Sequence, residues 1–170
     1  MGWRTLLGRL RGSGQPPRLQ AIYVCASAGE PMQAQPHAEA IAGCGLTGDR
    51  YCLGTGHWHP VESCEVTLIS EDDLRRAQRR RDVRLDQGQH RRNLVVAGLR
   101  TRDLEGRQFR IGSALFAWQR PRPPCGYLNQ VTGENLAKAL GANSGVCLHV
   151  VEGGLIRVGD VLLFESSGPA

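Results

Sequence analysis

Apolar and polar positions alternate in eight short runs along the 170-residue chain. They are LQAIYVC (19–25), EVTLI (65–69), NLVVAG (93–98), RQFRI (107–111), ALFAWQ (114–119), VCLHVVE (146–152), LIRV (155–158) and VLLFE (161–165). A period of two over a few residues marks a strand with one buried face. Gly112-Ser113 and Gly159-Asp160 each split two such runs by two residues with glycine first, which predicts two tight hairpins of type II′. IGSALF and VGDVLLF also resemble each other, as a weak repeat or as two solutions to one turn. Two stretches change to a helical period. Ser70 and Asp73 make a capping box for EDDLRRAQRRR, with acids in the first turn and arginines in the last. Glu71–Arg75 and Asp72–Arg76 are spaced as i, i+4 pairs. A second helix is expected from Gly133 to Leu140, with Thr132 as N-cap and Gly141 just beyond its end. The expected fold class is mainly β (α+β): a closed or nearly closed mixed β-barrel with a few short helices.

Length and composition narrow this further. One domain is expected, over residues 18–170. Residues 1–17, ending in GSGQPP, read as a flexible basic lead. MGWRTLLGRLRGSG lacks the apolar core of a secretory signal, and no run approaches the ~18 apolar residues of a membrane span. No membrane association is expected. The six cysteines contain no C-x-x-C pair, so a cytoplasmic chain with reduced thiols is the reading.

Charge changes the picture in one place. The net charge is +5, and 20 of the 21 basic residues are arginine. The one lysine, Lys138, lies in the second helical pattern, and a pyridoxal phosphate Schiff base needs a lysine; no pyridoxal phosphate is expected on this chain itself. Residues 75–92 hold eight arginines against Asp82 and Asp86, a local charge of +6. A nucleic-acid face is one reading, but no aromatics interleave for base stacking, and a solvated helix face accounts for the same charges. HRRNLVV (90–96) differs, because Arg91, Arg92 and Asn93 lead straight into an apolar strand. Arginine forks suit phosphate, and asparagine both donates and accepts; the alternative is a strand start with solvent-facing arginines.

GCGLTGDRYCLGTGHWHP (43–60) has five glycines in its first fourteen residues but is no P-loop, since no G-K-[ST] follows. Its amides could cradle an anion. His57 and His59 with Cys52 or Cys64 fit no standard metal spacing, so an ordered loop is the plainer reading. Cys25 and Cys147 fall inside strand patterns and are expected to be core fillers. Cys125 sits instead in RPRPPCGYL (120–128), where Arg120 and Arg122 would favour the thiolate and prolines limit the loop's freedom. Thiolate is the soft donor that transition metals select.

GLTGDRYCLGTG, EVTLIS, RRNLVVAGL, FRIGSALF, PRPPCGYL and GVCLHVVEGGLIRVGD stand in the order and spacing of one family. The chain resembles a MOSC domain, the module named for the C-terminal domain of molybdenum cofactor sulfurases, from about Leu19 to Glu165. The resemblance implies a mixed β-barrel that acts around molybdenum cofactor, a pterin dithiolene with a phosphate. The family cysteine falls on Cys125, implied as metal ligand or persulfide carrier. The cofactor-contacting segment falls on Arg91, Arg92 and Asn93, and the glycine-rich loop on Gly48, Asp49, Arg50 and Tyr51. Arg120 and Arg122 would face the anionic cofactor beside Cys125. Many family enzymes carry a further N-terminal barrel that completes the site. Here a more open site, or one completed by another chain, is expected.

Three readings follow. The first is a molybdenum-dependent oxidoreductase that reduces N-hydroxylated small molecules and takes electrons from a donor protein. The second is a sulfur carrier, with a persulfide on Cys125 supplied by a pyridoxal-phosphate-dependent desulfurase. The third is a basic nucleic-acid-binding module using residues 75–92.

Overall fold

Local alternation is expressed almost without loss in the computed structural model, which describes residues 14–61 and 63–166. The lead expected over residues 1–17 lies outside the described residues as far as residue 13. In chain order the first elements are β1 (Arg18–Val24), β2 (Gln33–Gln35), β3 (His37–Ile41), β4 (Gly45–Leu46) and α1 (Arg50–Leu53). There follow β5 (Val66–Ser70), α2 (Glu71–Arg81), β6 (Leu94–Ala97), β7 (Gln108–Ile111) and β8 (Ala114–Pro121). The last are α3 (Gly126–Thr132), α4 (Leu136–Leu140), β9 (Val146–Glu152), β10 (Gly154–Arg157) and β11 (Leu162–Phe164). All eight expected strands are present.

Eight strands form one sheet in the order β11-β7-β8-β9-β5-β6-β1-β2, and β10, β3 and β4 form a second. Only β5 and β6 pair in parallel, because α2 carries the chain back between them. The large sheet curls until Arg18 bridges Val161, and Leu162 N donates to Pro17 O at 2.8 Å. No continuous ladder joins its ends, so the architecture is mainly β with a curled mixed sheet rather than a closed barrel. Its inner face buries Leu19, Ile22, Leu68, Leu94, Phe109, Phe116 and Leu148, and the small sheet adds Ala38, Ala40 and Ile156 to the same core. On the outer face, Tyr23, Ile69 and Val95 are covered by Leu74 and Ala77 of α2, Leu128 of α3, and Leu136 and Leu140 of α4.

Four local expectations are corrected. Gly112, at φ 56°, does turn β7 back on β8, but the runs around Gly159 form no hairpin. β10 pairs with β3 while β11 pairs with β7, and the Asp160 carboxylate accepts from Arg157 N at 2.7 Å to hold the diverging turn. The second helix is two. Thr132 ends α3, Gly133 closes it at φ 71°, and Asn135 precedes α4. Ser70 Oγ accepts from the amides of Asp72 and Asp73, but the reciprocal half of the box is absent. Ser70 N donates instead to Thr101 Oγ1, and the Asp73 carboxylate accepts from Thr101 N, because the turn after β6 packs against this cap. Arg75 pairs with Glu71 as expected, whereas Arg76 takes Asp73 rather than Asp72.

Candidate functional site

Strand ends from distant parts of the chain meet at one rim of the sheet. Asn93, Thr67, Cys147 and Arg120 stand side by side there: Thr67 and Arg120 both pair in register with Cys147, and Asn93 Oδ1 accepts from Thr67 N and Thr67 Oγ1. Asn93 Nδ2 donates to Tyr23 O at 3.0 Å, which stitches β1 to β5 and β6. Its side chain is thereby engaged in the sheet and does not line the cavity beside it.

Arg50, Tyr51, Arg91, Arg92, Arg122 and Cys125 do line that cavity, and Cys64, His57, Trp58 and Tyr127 also stand in its wall. Asp49 caps α1 by accepting from Tyr51 N at 3.2 Å, and its other oxygen accepts from Cys25 N and pairs with Arg50 at 3.2 Å. Asp49 is therefore a brace for Arg50, fully enclosed. Gly48 supplies the turn ahead of it, at φ 79°, outside the cavity lining.

Arg50 Nη2 donates to Arg91 O at 3.2 Å, and Arg50 Nη1 and Arg91 Nη2 both approach Cys25 Sγ, at 3.4 and 3.5 Å. Cys25, expected to be a core filler, instead seats two guanidinium groups. Arg91 adopts a left-handed backbone at φ 58°, a conformation that costs a non-glycine residue roughly 1–2 kcal/mol. Its amide donates to Gly88 O and its Nη1 to Glu30 O, which hold it there. Such strain persists where surrounding contacts impose it and is concentrated at functional sites.

Arg92 is the most enclosed of the three. Nε donates to Ser144 O at 2.6 Å, and among the described residues no carboxylate pairs with it. Burial pulls its pKa below the ordinary arginine value, with repulsion from Arg50 adding to that. Burial works against Arg50 too, yet Tyr51, Asp49 and Cys25 beside it leave its pKa raised. One aspartate thus stands against three buried guanidinium groups, and such a wall favours an anion.

Cys125 is the N-cap of α3, and its side chain makes no capping hydrogen bond. It lines both the arginine cavity, of about 60 Å³, and an open groove of about 430 Å³ that shares Trp58, Arg122 and Pro123 with it. Arg120 lines only the groove. β7 pairs β8 only as far as Ala117, so the end of β8 has one neighbour and tolerates Pro121. Arg122 N donates to Gly145 O, and Ser144 Oγ donates to Arg122 O, which tie this segment to the loop that holds Arg92. His57 stacks on Tyr127 at 3.7 Å between centroids and fastens the glycine-rich loop over α3. This wall escaped the sequence reading, although HWH stood inside the quoted loop.

Two further cysteines depart from expectation, while Cys147 is buried in the core as expected. Cys44 and Cys52 are joined as a disulfide, so the fully reduced reading fails for that pair, whose Cα atoms the turn into α1 brings within 4.6 Å. Among the described residues no three His, Cys, Asp or Glu side chains cluster as a metal site, and no helix is long and apolar enough to cross a membrane. The arginine run over 75–92 splits: Arg79 and Arg80 are exposed on α2, while Arg91 and Arg92 are buried in the cavity wall.

The chain belongs to the MOSC domain family, whose model matches residues 55–163. The YuaD protein of Bacillus subtilis has a similar structure, with a TM-score of 0.72 and 16% identity over 91% of this chain and 98% of its own. YiiM from Geobacillus stearothermophilus has a TM-score of 0.67 at 19% identity, over 90% of this chain and 77% of its own. YiiM from Escherichia coli has a TM-score of 0.62 at 18% identity, over 90% and 72%. At such identities the likeness is one of fold. No curated protein sequence matches this chain.

Proposed function

We propose that this MOSC domain binds molybdenum cofactor and reduces N-hydroxylated small molecules, with Cys125 as the thiolate ligand to the metal. The observation that carries the proposal is the convergence of Arg50, Arg91 and Arg92 on one cavity with Cys125 at its edge. The donor set fits the group: forked cations for a phosphate and a soft sulfur for the metal. The sizes fit as well. A cavity of about 60 Å³ has room for a phosphate-sized group. Ligand pockets for larger molecules run to about 300–1,000 Å³, so the pterin would lie in the groove of about 430 Å³.

In this reading Arg92, desolvated and without a carboxylate partner among the described residues, holds the phosphate. Arg50 and Arg91 orient it, and Arg122 flanks the ring on the side of Cys125. When bound, the cofactor would supply the two-electron chemistry that reduction of an N–O bond requires. Trp58 and Pro123 line the groove, and an electron donor protein would supply the reducing equivalents.

A second reading rests on a different observation, the opening of Cys125 onto a groove flanked by the exposed Trp58 and Val61. A sulfur-donor protein could approach there. The Cys125 thiolate would take the outer sulfur of the donor's persulfide, and the donor would leave as a thiolate.

Elemental and pterin analysis of protein from a molybdenum-replete host tests the two, together with Cys125→Ser. The metal-ligand reading expects stoichiometric molybdenum, loss of N–O reduction in the variant and retained pterin affinity. The carrier reading expects metal-free protein and loss of persulfide labelling in the variant. Wild-type behaviour of Cys125→Ser in both assays would refute both.

A further inference from the structure

Arginines and thiol reach the cavity on separate segments. Arg50 comes from α1, Arg91 and Arg92 from the turn before β6, and Cys125 from the start of α3. The loop that follows α1 is fixed at its root: Thr55 N donates to Arg50 O, Thr55 Oγ1 to Ala26 O, and Ala28 N to Thr55 O. Beyond that root, His57 stacks on Tyr127, with 3.7 Å between ring centroids and 11° between planes.

Tyr127 stands two residues after Cys125, in the first turn of α3. Its hydroxyl lies 3.6 Å from where a Cβ on Gly29 would stand, and the neighbouring Glu30 O accepts from Arg91 Nη1. One ring thus meets both segments that seat Arg50 and Arg91. Leu128 anchors the body of α3 in the outer core, but the Cys125 side chain makes no capping bond that would fix the turn itself.

We propose that His57 and Tyr127 are positioning residues, whose stack is a clasp that holds Cys125 against the arginine cavity. An anion bound by the arginines then lies beside the sulfur. The inference rests on the anion site proposed above and adds a coupling between that site and the thiol. The arginine wall does not depend on the rings, because Cys25, Asp49 and Glu30 O hold Arg50 and Arg91 from behind. Opening the clasp therefore separates Cys125 from the anion and leaves the anion's cradle in place. A stacked ring pair changes the ratio of clasped to open states by a factor of about two to ten.

The test uses the whole protein and inorganic phosphate. Iodoacetamide labelling of Cys125 is timed by peptide mapping, without phosphate and at a concentration that calorimetry shows to saturate each protein. In wild type, phosphate should slow the labelling, since the sulfur lines the small cavity that the anion fills. In His57→Ala and Tyr127→Ala this protection should shrink by a factor of about two to ten. Tyr127→Phe keeps the ring and should protect as wild type does. His57 is exposed, so its alanine variant takes nothing from the core and decides the matter even if Tyr127→Ala fails to fold. Protection equal to wild type in His57→Ala overturns the clasp. Loss of phosphate binding in that variant overturns it too, by making the ring part of the anion site itself. Phosphate that binds wild type without slowing the label refutes the coupling and leaves the anion site standing. Absence of phosphate binding to wild type removes the anion site, and the clasp with it.

Discussion

His90 makes the arginine wall sensitive to acid, by an amount that can be worked out. It is 1% exposed, its Nδ1 accepts from Arg92 N at 2.9 Å, and its ring meets Tyr23 edge-on. Burial, and then the charge of Arg92, lower its pKa to about 3, from an ordinary value of 6.5. The folded protein therefore keeps the ring neutral where the unfolded chain already binds a proton. Stability from this group is complete above about pH 6.5 and is lost as pH falls from there towards about 3. Each unit of difference is worth about 1.4 kcal/mol, so the loss is about 2 kcal/mol at pH 5 and about 3 kcal/mol at pH 4. His90→Asn removes the titration and keeps an acceptor for the Arg92 amide. Urea unfolding of both proteins at pH 8 and pH 5 isolates the effect, since all other groups cancel. Wild type should lose about 2 kcal/mol more than the variant over that interval. Parallel losses would refute the claim that His90 is held neutral beneath the arginines.

Further outcomes are expected at neighbouring positions. Cys125 is the half-buried free cysteine where Cys25, Cys64 and Cys147 are buried, so iodoacetamide should label it first at neutral pH in a peptide map. Arg92→Ala should weaken phosphate or pterin binding by on the order of 1.5–3 kcal/mol, read by calorimetry. Arg79→Ala and Arg80→Ala, exposed on α2, should change it little, because exposed charges are screened. Equal losses at both places would move the binding site to the helix face. Gly145 has φ 108°, and a Cβ there would stand 2.7 Å from Leu68 O and 3.1 Å from Arg92 Nε. Gly145→Ala should therefore destabilise the fold by at least about 1–2 kcal/mol and also impair anion binding, checked by thermal unfolding and the same calorimetry.

Strand positions were legible because alternation is a local signal. Each of the eight runs needs only its own residues to show which face is buried, and α2 likewise carries its acids, arginines and N-cap within one stretch. β3 was not legible. Its inward residues are Ala38 and Ala40, too small to mark an apolar face, and the strand is specified by β10, more than a hundred residues later. The fork of the chain after β10 was hidden for the same reason: the glycine turn is compatible with a hairpin, and only the competition for partners β3 and β7 decides against one.

At the site, the sequence by itself determined which chemistry was present: a thiol in a stiff cationic loop, two arginines at a strand start, and an arginine in a glycine-rich turn. Tertiary structure alone decided what each does. It turned Asp49 and Asn93 inward as braces and seated Arg50 and Arg91 on Cys25. Side-chain type is a property of the chain, but desolvation and charge pairing depend on distance in space. Those distances exist only once the curled sheet has brought the ends of β1, β5, β6 and β8 to one rim.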